Sequence, residues 1–283
     1  MTDTNHPLNV DLHCHSNVSD GVLGPDALAR RAHDNGVQVW SLTDHDELSG
    51  LTDAGEAARA LGMVFIPGVE ISATWAGQTV HVVGLNINPE HSALRSGLAA
   101  IRADRLSRAG EMAQRLDVLG IQGAYDGALR YAGNPELISR THFARFMVDR
   151  GVCTSMQDAF DRYLGGGKPA YVRVRWASLA DAVSWILQAG GRAVLAHPGR
   201  YVYTATQFDA LFDDFQQLGG QGIEVVTGSH RPAQYRQYAD VARHYGFLAS
   251  RGSDFHAPKE SHVDLGGLPP LPAGLTPVWH DWI

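Results

Sequence analysis

Two cysteines in 283 residues, Cys14 and Cys153, support no disulfide framework, and their scarcity fits a reducing compartment. No apolar run reaches the roughly 18 residues needed to cross a bilayer. The opening MTDTNHPLNV also lacks a charged segment leading into an apolar one, so neither a membrane span nor a secretion signal is expected. No basic tract runs along the chain and the formal net charge is −7, which argues against long duplex nucleic acid as a partner. Internal repeats, low-complexity runs and the phosphate-loop pattern GxxxxGK(S/T) are all missing; Gly165-Gly166-Gly167-Lys168-Pro169 has no helix after it and reads as a hinge. The expectation is a cytoplasmic protein whose 44% hydrophobic content buries one large core, with or without a smaller appended domain.

What is present is alternation. Short apolar, β-branched runs at 9–12, 37–42, 64–71, 79–87, 192–196, 222–226 and 247–250 read as strands. Helical patterns with start signals lie at 25–35, 49–61, 178–189, 206–218 and 232–245. Strand followed by helix, repeated, predicts an α/β fold with a mainly parallel sheet, and about seven strands suit a barrel better than a small open sheet. A Gly-Gln turn and no helix separate the third and fourth strands, which therefore form a hairpin. Between 93 and 170 the pattern is helical only (94–119, 125–131, 139–150 and 155–164), the signature of an inserted subdomain or lid. The division expected is 1–92 with 171–283 for the main body and 93–170 for the insertion. The Pro- and Gly-rich tail 265–283 reads as coil with packed aromatics.

The strand ends carry the chemistry. His13, His15 and Asp20 follow the first strand, and Asp44-His45-Asp46 the second. Glu70 ends the third, His81 begins the fourth, His197 follows the fifth, and Asp254 and His256 follow the last. Carboxyl ends of strands in α/β folds converge on one face, and an antiparallel fourth strand starts at that same face. Side chains two apart on extended backbone point together, so His13 can share an ion with His15, and Asp254 with His256, while Cys14 turns into the wall. Imidazoles and carboxylates without thiolates suit Mn, Zn or Fe at a hydrolytic site, and six histidines with three carboxylates exceed what one ion coordinates. Singly, each of these histidines is more often a core or surface residue. Recurrence of polar groups at strand ends has no packing rationale, and it favours metal. Asp44 reads as a support for a ligand or a helix cap; His6, His33, His91, His244, His262 and His280 read as surface, and His142 and His230 stay undecided.

The motifs DLHCHSNVSDG, SLTDHD with PGVE, AHPG, and SDFH resemble those of the PHP family, the polymerase and histidinol phosphatase metalloenzymes. The resemblance spans nearly all the chain outside the insertion. It implies a distorted (β/α)7 barrel with a trinuclear site and phosphoesterase activity, using divalent ions, Mn first and Zn, Fe or Mg otherwise. It also implies three groupings: His13, His15, Glu70 and Asp254; Glu70 bridging to His81 and His197; and Asp20, His45 and His256. No ligand position is replaced.

Asn134, Ser139-Arg140-Thr141-His142 and the Gly-Gly-Lys-Pro-Ala-Tyr exit are similar to a subgroup that removes the 3′-phosphate of nucleoside 3′,5′-bisphosphates. Relatives of that subgroup trim short RNA from its 5′ end. The expected mechanism places metal-activated hydroxide at Glu70, with Asp20 and His45 nearest the scissile group. A second phosphate needs a second anion site. Arg102, Arg105 and Arg108 recur on one helix face; Arg102 and Arg105, with Asn134, Arg140 and Arg200, are the substrate candidates, and Arg108 reads as solvated. The rivals are a 5′-3′ exoribonuclease on short RNA, a phosphatase of another small ester such as histidinol phosphate, an amidohydrolase, and a metal-stabilised accessory module without activity. The partner expected is a small nucleotide or short RNA, with no membrane, duplex or obligate protein partner.

Overall fold

The computed structural model describes residues 8–173 and 176–283; His6 lies outside them. The chain opens with β1 (Val10–Asp11), α1 (Pro25–Asp34), β2 (Val39–Trp40), α2 (Leu51–Ala60) and β3 (Val64–Phe65), followed by the hairpin β4 (Gly68–Trp75) and β5 (Gln78–Leu85). Next come α3 (Ser92–Val118), α4 (Ala124–Leu129), α5 (Arg140–Asp149) and α6 (Met156–Ala159), the last extended by a π turn over Phe160–Leu164. The remainder is β6 (Ala177–Ser178), α7 (Leu179–Gln188), β7 (Arg192–Leu195), α8 (Ala205–Gln217), β8 (Gly222–Thr227), α9 (Pro232–Tyr245) and β9 (Leu248–Gly252). Among the described residues no helix is long and apolar enough to cross a membrane.

The fold is α/β with mixed sheets. One sheet runs β1-β2-β3, all parallel; the other runs β6-β4-β5-β7-β8-β9, with β5 antiparallel to both of its neighbours. The single strand expected at 64–71 is broken at Ile66-Pro67, because proline donates no ladder hydrogen bond, and its halves join different sheets. Backbone bonds nevertheless cross between the sheets at both edges: Leu12 N–H to Arg251 O (3.0 Å) and Asp254 N–H to His13 O (2.8 Å) on one side, Asp46 N–H to Glu70 O (2.9 Å) on the other. The hairpin turn is Ala76-Gly77, one residue earlier than the expected Gly-Gln turn. Both residues have positive φ (47° and 76°), the type I′ geometry that matches strand twist.

The helices follow their sequence signals. Pro25 begins α1, which buries Leu28, Ala29 and Ala32; Thr204 and Gln207 form a capping box at α8. Strand β6 carried no pattern in the sequence, since two residues are too few to show one.

The insertion has an apolar core of its own, but that core begins inside α3. Leu94, Leu98 and Ile101 pack into the main core, whereas Met112, Ala113 and Leu116 pack with Phe143, Met147 and Leu164 of the insertion. A β-carbon on Gly97 would meet the Trp185 ring at 2.5 Å, so glycine sets how closely α3 approaches α7. Residues 165–168 form a tight turn closed by Lys168 N–H to Gly165 O. Val278 of the tail is buried and pairs with β9 through Val278 N–H to Ala249 O.

His33, His244, His262 and His280 are exposed, and His91 is half-buried. His230 is buried and stacks on Tyr238, with its Nε2 accepting the Gly199 N–H. His142 is wholly buried at the third position of α5, where Nδ1 accepts the Ser139 N–H at 3.0 Å. Burial pushes its pKa down to about 4, against the pull of Asp20. An unfolded histidine titrates near 6.5. Between that value and about 4 the unfolded chain binds a proton that the folded chain refuses, so this contribution is complete above the window and lost as pH falls through it. The loss is about 1.4 kcal/mol per pH unit. His142→Gln keeps the capping geometry without the proton; its thermal midpoint is expected to fall less than wild type's on acidification through that window, as followed by calorimetry.

Candidate metal centre

The nine strand-end residues are brought to one face. His13 and His15 follow β1, Asp20 lies in the turn beyond, His45 follows β2, and Glu70 projects from β4. In the hairpin Ser72 pairs with His81, and Glu70 lies two residues from Ser72, so Glu70 and His81 share one face of the sheet. His197 follows β7; Asp254 and His256 follow β9. His197 (φ 26°), Asp254 (φ 56°) and Asp46 (φ 53°) hold backbone conformations unusual for side-chain-bearing residues, and all three are in or beside this cluster.

Glu70 is at the centre and has no solvent exposure. Its Oε2 lies 3.2 Å from Nε2 of His13, 3.2 Å from Nε2 of His15 and 3.0 Å from Nδ1 of His45. Its Oε1 lies 2.8 Å from Nδ1 of His81 and 2.9 Å from Nε2 of His197. Asp254 Oδ1 is 3.2 Å from Nε2 of His15, and Asp20 Oδ1 is 3.3 Å from Nε2 of His256. Three groups have donor atoms close enough to share an ion: His13, His15, Glu70 and Asp254; His45, Glu70 and His81; and His15, Asp20, His45 and His256. The first is the grouping expected from sequence. The others differ from it, since His45 reaches towards both Glu70 and Asp20, while His15 joins the third.

Several donors are buried yet make no hydrogen bond: Glu70 Oε2, His45 Nδ1, His15 Nδ1 and Asp20 Oδ1. Buried polar atoms without partners are expensive, and two of these, Glu70 Oε2 and His45 Nδ1, face each other at 3.0 Å. A cation between them satisfies both, so the residues fit a metal. Charge agrees. Burial acts to raise the Glu70 pKa, but His45, His81 and His13 hold it well below the carboxylate range. Burial opposes protonation of His15, but Asp254 and Glu70 raise its pKa to about 10. Burial alone dominates at His197, pushed down to about 3. Protons thus occupy part of the cluster until a cation displaces them.

Three carboxylates missed in the sequence support this arrangement. Glu224 Oε1 accepts from His13 Nδ1 at 2.7 Å and its Oε2 accepts the His197 N–H at 2.7 Å, fixing the His13 tautomer with Nε2 towards Glu70. It is the lone charge in the buried strand GIEVVT, which was the available signal. Asp11 accepts the N–H groups of Ser253 and Gly266. Asp44, already read as a support, accepts from Ser16 and Ser19 and so shapes the loop that carries Asp20.

The arginines divide. Arg102 is drawn away to Asp46 O, Glu47 and Glu136, and Asn134 caps Glu136 N–H and approaches Glu47; neither lines the cleft, because acidic residues on adjacent loops hold them. Arg105 lines the cleft with its guanidinium bound to buried Asp46 and to Ser72 Oγ. Arg108, expected in solvent, lies in the cleft over the Trp176 ring, because α3 turns this face inward. Arg140 lies over Phe160 and Tyr171, and Arg200 bonds Asp254 Oδ2 at 3.0 Å. Among the described residues neither Arg108 nor Arg140 has a carboxylate partner; burial lowers the pKa of both, that of Arg108 to about 9.

Buried imidazoles and carboxylates without thiolate, opening onto a cationic cleft, define a metal-dependent hydrolase. The model of the PHP domain matches residues 11–132. A 3′,5′-nucleoside bisphosphate phosphatase of Chromobacterium violaceum is 49% identical over 96% of each chain, and the 5′-3′ exoribonuclease Rnm of Salmonella typhimurium is 40% identical over 100% of this chain and 96% of its own. A solved Chromobacterium violaceum structure, described as an amidohydrolase with bound sulfate and no metal, superposes with a TM-score of 0.94 at 49% identity, covering 96% of this chain and 95% of that one. A Bifidobacterium adolescentis protein assigned as a metal-dependent phosphoesterase gives 0.79 at 29% identity, over 95% and 92%. The chain belongs to the PHP family and is a metal-dependent phosphoesterase of that family.

Removing a residue that orients a metal-bound histidine commonly weakens binding about 10–100-fold. Glu224→Gln retains shape but accepts only one of its two hydrogen bonds, so metal affinity, measured by titration calorimetry on chelator-stripped protein, is expected to fall within that range.

Proposed function

We propose that the chain removes the 3′-phosphate of nucleoside 3′,5′-bisphosphates, leaving a nucleoside 5′-monophosphate and phosphate. One observation carries the reading. A cleft of about 160 Å³ is lined at one end by Asp20, His45, His81 and His256 and elsewhere by Arg105, Arg108, Arg140 and Arg200. Two unpaired, buried guanidiniums beside a metal-type cluster suit a substrate with two anionic groups, one at each place.

On this reading, the continuity of backbone bonds across both sheet edges makes the main body a distorted (β/α)7 barrel, with 93–170 as its substrate cap. The ions are three divalent cations, manganese first, held by the three donor groups with His197 joining Glu70. Bound there, they supply an acidified water and neutralise phosphoryl charge. The chain's residues do the positioning. Glu70 ties the donor groups together. Asp20, held by the Thr141 hydroxyl at 3.2 Å, and His45 stand at the cleft wall nearest the scissile phosphate. Arg108 and Arg140 receive the 5′-phosphate, and Arg200 faces the phosphate under attack. The setting is the cytoplasm.

Phosphate release from a panel of nucleoside 3′,5′-bisphosphate, nucleoside 3′-monophosphate and histidinol phosphate tests this. The bisphosphate is expected to have the highest kcat/KM, and a preference for histidinol phosphate overturns the reading. Arg108→Ala is expected to reduce kcat/KM for the bisphosphate by about tenfold or more, roughly 1.4 kcal/mol, with little effect on the 3′-monophosphate. His13→Ala and Asp254→Ala are expected to abolish hydrolysis; normal rates in either exclude a metal mechanism built on them.

A further inference from the structure

We infer that the site has a second compartment, formed by Gly228-Ser229 and the loop 260–262, that takes the nucleoside on the far side of the scissile phosphate, so that short 5′-phosphorylated RNA is cleaved at the same centre. The inference rests on the phosphatase reading of the cationic cleft.

A cavity of about 290 Å³ adjoins the cleft and shares Thr141, Arg200 and His256 with it. Two spaces therefore meet across the same wall of the metal-type cluster. A phosphomonoester has one organic substituent on phosphorus, and one space accommodates it. A phosphodiester has two. The second space is the larger, close to the lower end of small-molecule sites, roughly 300 Å³.

Its chemistry separates it from the first. The cleft is lined by four arginines, whereas this cavity has Arg200 alone, already bound to Asp254, and its acid Glu260 is neutralised by Arg145 at 2.7 Å. An anion gains little there, which disfavours free phosphate. Ser229 Oγ is buried and has no hydrogen-bond partner among the described residues, while Met156 from the cap and exposed His262 at the rim supply apolar and flat surface. Hydroxyls beside a planar ring, without charge, describe a nucleoside. The asymmetry also sets direction: the terminal 5′-phosphate goes to the arginines and the next nucleoside to the neutral cavity. The bond broken is the same in both substrates. Water oxygen bonds to phosphorus, the bond from phosphorus to the first nucleotide's 3′ oxygen breaks, and that oxygen takes the proton. The products are a nucleoside 5′-monophosphate and an RNA one residue shorter that keeps a 5′-phosphate.

The test compares a 5′-phosphorylated dinucleotide with a nucleoside 3′,5′-bisphosphate on the metal-loaded wild type, on Ser229→Trp, which fills the cavity, and on His262→Trp, which narrows its exposed mouth without touching the core. The wild type is expected to cleave both. Either variant is expected to lose about tenfold or more in kcat/KM for the dinucleotide and less than about twofold for the bisphosphate, with His262→Trp deciding if Ser229→Trp does not fold. Equal losses on both substrates, unchanged dinucleotide cleavage in a folded Ser229→Trp, or a wild type that hydrolyses only the bisphosphate overturns the inference. Selective loss on the dinucleotide in a protein inert to the bisphosphate upholds the compartment and overturns the phosphatase reading instead.

Discussion

The placement of one buried carboxylate, Glu70, organises the molecule. It lies within 3.2 Å of five imidazole nitrogens contributed by β4's partners on every side: the segments after β1, β2 and β7, and the neighbouring strand β5. A charge buried this deeply costs several kcal/mol unless compensated, so the strand ends that carry those imidazoles are constrained to meet it. The hairpin follows from the same need. Turning the chain back at Ala76-Gly77 puts His81 on the face of Glu70, something a crossover helix would not do at that spacing.

Around Glu70 the residues fall into concentric duties. Glu224 fixes His13, Asp44 shapes the loop of Asp20, and Asp46 anchors the cap through Arg105. The cap in turn lends Thr141 to Asp20 and Arg145 to Glu260. Metal-type donors, their supports and the cationic cleft therefore form one connected polar network. Each cap contact lands on a residue adjacent to, or part of, the strand-end cluster, which links substrate-facing arginines to the geometry of the donors.

Much of this was legible in the sequence where a pattern repeats. Alternation of strands and helices, with start signals such as Pro25 and Thr204, fixed the α/β class and the helix bounds to within a residue or two. Histidines and acids recurring after strands identified the nine residues that converge. What was illegible depended on partners distant in sequence. Arg108 reads as solvated until α3 is seen to turn it towards Trp176, and Arg102 reads as a phosphate ligand until Glu47 and Glu136 are seen to hold it. Glu224 is hidden in an apolar strand because its reason for burial is His13, 211 positions away. The break at Pro67 was visible as a residue but not as a change of sheet.

The course of α3 has a consequence for how the protein holds together. At 27 residues it is about 40 Å long, and it contributes its first turns to the main core and its last to the core of the insertion. An insertion joined by loops at both ends can melt or be excised as an independent unit. One entered through a continuous helix cannot, because fraying the far end exposes Met112 and Leu116 while loosening the near end exposes Leu98 beside Trp185. The two cores are thereby mechanically in series, and cap and main body are expected to share one cooperative unfolding transition rather than two.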